Sequence, residues 1–171
     1  MEIDWKDLIL RYSLMVLAGI FLNVFYVIFR PLTVYPVYFL LNIFYKASVS
    51  GNIISANGVQ IEIVNACIAG SAFFLLLILN FSTPKIRWKK RLLILIYDFA
   101  VLLIINIIRI FVLSILLANQ SVFFYAVHLI LWHAVSILLV FLIWILTIRI
   151  FKIKKIPFVS DLSSLCHTKK K

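Results

Sequence analysis

Charged residues are scarce in this chain. They make up 13% of its 171 residues, about half the share a soluble domain carries. Hydrophobic residues make up 65%, against roughly 45–50% in soluble domains. A soluble fold of this size needs far more polar surface to cover its core, so that class is excluded. Cysteine is also sparse: Cys67 and Cys166 are the only two. The topology argued below puts them on opposite sides of a membrane, so no disulfide is expected between them. The N-terminal stretch lacks a basic leader and a small-residue cleavage site, and its apolar run is too long for a cleavable signal peptide. No internal repeat is visible, which argues against a transporter built from inverted halves.

What the chain does have is long apolar runs. Leu92–Ala118 and Val122–Ile148 each cover 27 residues, and a membrane-spanning helix needs roughly 20. Runs this long and unpunctuated are helices, whose backbone bonds are satisfied internally. A first span is expected from about Leu8 to Phe29, and a shorter one, containing Pro36, from about Leu32 to Tyr45. Residues 46–61 carry Gly51, Asn52, Asn57 and Gly58 between Val and Ile, which reads as a turn or small hairpin. A third span covers about Ile63 to Phe81 and stops at Ser82-Thr83-Pro84. The expected fold is thus all-α: a polytopic transmembrane helical bundle of about five spans over residues 1–155. A polar tail, residues 156–171, has the composition of a disordered segment.

The formal charge of +11 could suggest a nucleic-acid partner, but its distribution does not. Of the 17 Lys and Arg, five fall in the stretch Lys85–Arg91 and seven between Arg149 and Lys171. Basic clusters beside apolar spans mark the cytoplasmic side and are drawn to anionic headgroups. Loop 83–91 and the C-terminal tail are therefore expected in the cytoplasm, at a cell membrane. If the segment 32–45 crosses, the N-terminus lies outside and Arg30 marks a cytoplasmic turn. If that segment lies in the interface, the N-terminus lies inside.

Polar groups within a bilayer are costly and need a reason. Those here are Cys67, Asp98, Asn106, Arg109, His128 and His133. Counting along the spans at roughly 1.5 Å per residue puts Cys67 about 6 Å, Arg109 about 13 Å and His128 about 6–9 Å below the extracytoplasmic end, with His133 deeper. Sequence-adjacent antiparallel helices usually pack side by side, so a thiol, a guanidinium and an imidazole meet at one level. A nearby cation or imidazole activates a thiol, and a histidine shuttles its proton to a leaving amine. An arginine stabilises an oxyanion. Asn106 is one turn before Arg109 and would orient it. Asp98, in the inner half near Arg91 and level with Asn80, reads as structural. One Cys and two His lack the fourth ligand and spacing of a zinc site, so no metal or cofactor is expected.

At these residues the chain resembles the exosortase/archaeosortase family. Val64-Asn65-Ala66-Cys67-Ile68-Ala69-Gly70-Ser71 is similar to its Ala-Cys motif at the start of a membrane helix. Asn106-Ile107-Ile108-Arg109-Ile110 is similar to its Asn-x-x-Arg-Ile motif, and His128 to Trp144 to its final His-bearing helix. The resemblance covers roughly residues 30–150. Ile68-Ala69-Gly70 follows the cysteine where the family commonly has Ser-Gly, and the short chain looks more like a compact archaeal member. The resemblance implies a membrane cysteine transpeptidase or protease with Cys67, Arg109 and His128 as catalytic residues; His133 is the alternative histidine. Its partners would be exported proteins carrying a C-terminal sorting signal, which it would cleave at the extracytoplasmic face. A membrane lipid, another amine or water would accept the product. The rival reading is a non-catalytic assembly or transporter subunit whose polar residues glue helices together.

Overall fold

The computed structural model describes residues 5–131 and 136–153. The chain forms α1 (Trp5–Ile20), α2 (Leu22–Phe44), β1 (Ser48–Ser50), β2 (Ile53–Ala56), β3 (Val59–Glu62), α3 (Asn65–Ile68), α4 (Gly70–Ser82), α5 (Trp88–Ala118), α6 (Phe124–Ile130) and α7 (Ser136–Ile150). It is mostly helical and a membrane protein by its segments. Among the described residues, Leu22–Phe44, Asn65–Ser82 and Trp88–Ala118 are long and apolar enough to cross a bilayer, and Leu138–Ile150 is a shorter apolar helix.

The fold is not all-α. The strands form an antiparallel sheet in the order β1-β2-β3, where the turn-rich composition suggested a hairpin at most. Each turn has two residues, and positive φ angles at Gly51 (62°), Asn57 (52°) and Gly58 (76°) make them tight. Asn57-Gly58, with both residues left-handed, suits the twist of paired strands. Strand alternation then does the rest: Ile54, Ala56, Ile61 and Ile63 turn inward and are buried. Asn57 Nδ2 donates to the Ala118 carbonyl at 2.9 Å, so the second turn covers the C-terminus of α5.

The path of the first 44 residues also differs from expectation. The chain does not turn back near Arg30. Instead α2 runs unbroken through Pro31 and Pro36, and the interruption falls at Phe21 (φ −95°, ψ 28°). Contacts with α4 and then α3 descend steadily along the chain. Arg11 meets Phe81, Gly19 faces Phe74, Tyr26 lies against Gly70, and Arg30 reaches Asn65. So α1 and α2 advance in one direction, antiparallel to α4, as one bent rod. A proline inside a membrane helix costs a backbone bond, but neighbouring helices compensate.

The inward stripe of α5 alternates in kind. Its buried residues are Arg91, Ile94, Asp98, Leu102, Asn106, Ile110, Ser114 and Ala118, polar and apolar by turns. Leu102 and Ile110 join a core shared with α2 and α4. Its centre is aromatic: Phe29 stacks on Phe73 with ring centroids 3.7 Å apart, and Phe99 meets both edge-on. The hydroxyl of Thr147 donates to Asp98 Oδ1, tying α7 to α5. The sheet lies at one end of the bundle and the basic residues Lys85–Arg91 at the other. At that basic end, Lys90 Nζ donates to the Phe151 carbonyl at 2.7 Å.

Candidate functional site

Cys67 sits in the single turn α3, which ends at Ala69 in the left-handed conformation (φ 58°). The break ends regular hydrogen bonding and orphans the carbonyls of the last turn. Two side chains of α5 answer this. Asn106 Nδ2 donates to the Cys67 carbonyl at 2.8 Å, and an Arg109 terminal nitrogen approaches the same oxygen at 3.4 Å. The Cys67 N–H donates in turn to the Val64 carbonyl at 2.8 Å. The backbone carrying the thiol is thus held on both sides. Asn106, one turn before Arg109, thus holds the cysteine backbone. Arg30 donates to Asn65 Oδ1 at 2.7 Å, fixing the start of α3 to α2.

Beyond the break, Gly70 lets α4 approach α2 closely. A Cβ there would lie 2.6–2.9 Å from the Tyr26 ring, a separation that only glycine allows.

The half-buried thiol of Cys67 opens on a cavity of about 160 Å³. Arg109 from α5 and His128 from α6 line the same cavity, as do Glu62, Ser114 and Phe124. The Phe124 ring stacks against the His128 imidazole, centroids 5.6 Å apart, four residues apart on one face of α6. A thiol, a cation and an imidazole therefore share one small, mostly apolar space. His133, the alternative histidine, lies outside the described residues, as does Cys166. Among the described residues no group of three or more His, Cys, Asp or Glu could hold a metal ion. Asp98 lies apart from the cavity, against Thr147.

Glu62 was not singled out from the sequence, although it is the only acidic residue between Asp7 and Asp98. Its carboxylate accepts from Asn52 Nδ2 at 3.2 Å, at the edge of the sheet. That isolation in an acid-poor chain was the available signal.

Comparison with protein families, with curated proteins and with solved structures returns no match. The resemblance drawn above rests on the motif residues alone.

Proposed function

We propose that the protein is a membrane-embedded cysteine transpeptidase or protease acting on the C-terminal sorting signals of exported proteins. One observation carries the reading: Cys67, Arg109 and His128 come from three separate elements, α3, α5 and α6, and line one cavity. In this reading the Cys67 sulfur attacks a substrate backbone carbonyl. Arg109 stabilises the oxyanion of the tetrahedral intermediate. His128 takes the thiol proton and passes it to the departing amine, leaving a thioester on Cys67. An amine, lipid-borne or other, then displaces the thiol to form a new amide; water in its place gives a free acid.

The proposed topology has four passes, one fewer than the apolar runs suggested, because α1 and α2 make a single bent pass. The basic end lies in the cytoplasm and the sheet and cavity at the extracytoplasmic face. Cysteine labelling of intact cells, in a variant lacking the native cysteines, is expected to modify Ser50→Cys and not Lys89→Cys. Labelling at position 89 reverses the orientation and removes the site from its substrate.

A second reading is favoured by a specific contact. Asn106 and Arg109 both donate to the Cys67 carbonyl, which suffices to explain them as caps of a broken helix in a non-catalytic membrane subunit. One experiment separates the two. A tagged protein bearing a short motif, a membrane helix and a basic end is co-expressed with each variant, and its size is followed. Cys67→Ala abolishes processing with membrane levels unchanged, and Cys67→Ser is nearly as severe, because a modest base does not activate a hydroxyl. Arg109→Lys is strongly impaired, since it loses the planar fork of donors. His128→Ala resembles Cys67→Ala, His133→Ala loses a smaller factor, and Cys166→Ala is silent. Normal processing by Cys67→Ala leaves only the structural reading.

A further inference from the structure

The edge of β3 is next to the cavity, and its backbone is arranged to receive another strand. The register pairs Ile54 with Ile61 and Ala56 with Val59, and the Ile63 N–H donates to the Asn52 carbonyl at 2.9 Å. In an antiparallel ladder alternate residues bond to the same neighbour. Val59, Ile61 and Ile63 thus turn their N–H and C=O groups toward β2. Gln60 and Glu62 turn theirs the other way, to the side where, among the described residues, β3 has no neighbouring strand. Four consecutive residues, Ile61 to Val64, line the cavity although their side chains alternate between buried and exposed. Only the edge of a strand presents all four to one space. An open strand edge is not tolerated in hydrocarbon, and the exposed side chains of Gln60 and Glu62 suit an aqueous or headgroup setting.

The cavity itself is small. At about 160 Å³ it falls below the roughly 300–1,000 Å³ that encloses a whole small-molecule ligand. It has room for one or two side chains of something bound mainly outside it.

We infer that β3 is the docking edge for the substrate: an extended peptide segment adds to the sheet as a fourth strand, bonded to the outward N–H and C=O groups of Gln60 and Glu62, and is thereby led to Cys67. Main-chain bonds supply most of the affinity in such strand addition, and pockets for alternate side chains supply the selectivity. The substrate class is therefore a flexible, extended stretch of polypeptide rather than a folded domain or a helix. One of its side chains enters the cavity beside Arg109 and His128. This rests on Cys67 being the nucleophile, and the test below keeps the two claims apart.

The test uses the full-length Cys166→Ala protein in lipid nanodiscs. Two probes are compared: acetyl-Ala-Val-Ala chloromethyl ketone, and its twin with the alternate amides N-methylated so that they cannot pair with a strand. Each alkylates the thiol, forming a C–S bond and releasing chloride, and the rate on Cys67 is read by mass spectrometry against that of iodoacetamide. The unmethylated peptide is expected to react about tenfold faster than its twin, the worth of one or two backbone bonds. Gln60→Pro and Glu62→Pro each remove an outward N–H without touching the ladder to β2. They lower the peptide's rate, taken relative to iodoacetamide on the same variant, to that of its twin. Equal rates for the two peptides on the unsubstituted edge overturn the proposal, and that arm needs no folded proline variant. A dimer that Gln60→Pro dissociates, with peptide labelling unchanged, also overturns it and makes a second copy the occupant. Should Cys67→Ala process substrate normally, the catalytic reading fails; the labelling rates still report on the edge.

Discussion

Arg91 and Arg109 stand on the same helix, α5, and do different work. Arg91 is 1% exposed. It donates to the Asn80 carbonyl and, at 2.9 Å, to that of Thr83, and its guanidinium lies 5.4 Å from the centroids of both the Phe81 and Trp88 rings. Arg11 adds a bond to the Phe81 carbonyl at 3.1 Å. The C-terminus of α4 is thus closed by two arginines, with the Ser82 and Thr83 hydroxyls bonding to Leu79. Arg109 approaches the Cys67 carbonyl at 3.4 Å, an oxygen shared with Asn106, and borders a cavity. One arginine completes a helix end. The other borders an open cavity.

The comparison can be broken at either end. The largest stability loss is expected from Arg91→Ala. It strips donors from two buried carbonyls and should cost about 3 kcal/mol or more, read as a drop in thermal unfolding temperature in detergent. Arg91→Lys recovers part of it. Gly70→Ala comes next: the added methyl meets the Tyr26 ring, and such overpacking costs about 1–3 kcal/mol. Tyr26→Leu in the same chain is expected to restore most of the loss. Asn106→Ala removes the 2.8 Å bond that holds the Cys67 backbone, for about 1–2 kcal/mol, and loosens the thiol, so alkylation of Cys67 changes rate. Arg109→Ala should cost only about 1 kcal/mol, because Asn106 still serves the carbonyl, while processing of a sorting-signal substrate is lost. An unfolding temperature as low as that of Arg91→Ala would erase the contrast and make both arginines structural. The smallest effect belongs to Asp98→Asn. The side chain still accepts from Thr147, and stability should move by less than about 1 kcal/mol.

Much of this was legible in the sequence, for reasons that can be named. The apolar runs Leu92–Ala118 and Ile63 to Phe81 mark the membrane-length segments found at Trp88–Ala118 and Asn65–Ser82, because lipid leaves no other use for them. Counting depth along those helices puts Cys67, Arg109 and His128 at one level, and the three line one cavity. Three things were hidden. Arg91 reads as part of a solvated basic cluster, because nothing local distinguishes it from Lys89 or Lys90; only the folded α4 supplies the carbonyls that bury it. A turn was expected near Arg30, whereas the real interruption at Phe21 carries no breaker residue. The sheet was reduced to a hairpin because β1, only three residues long, is too short to show a period. One pattern was there to be found: the alternation of polar and apolar residues down the inward stripe of α5, from Arg91 to Ala118.

The walls of the cavity set a schedule for the molecule's manufacture. They come from β3 and α3, then α5, then α6, in the order in which a ribosome delivers them. A nascent chain that has reached Ala118 already holds Cys67, Asn106 and Arg109 but has no imidazole beside them. Chemistry that needs both thiol and His128 cannot begin until the last hairpin has folded back along α5. A chain stopped after Asn119 should insert into the membrane with its thiol and guanidinium in place, and under the proposed reading it processes no substrate until α6 is added.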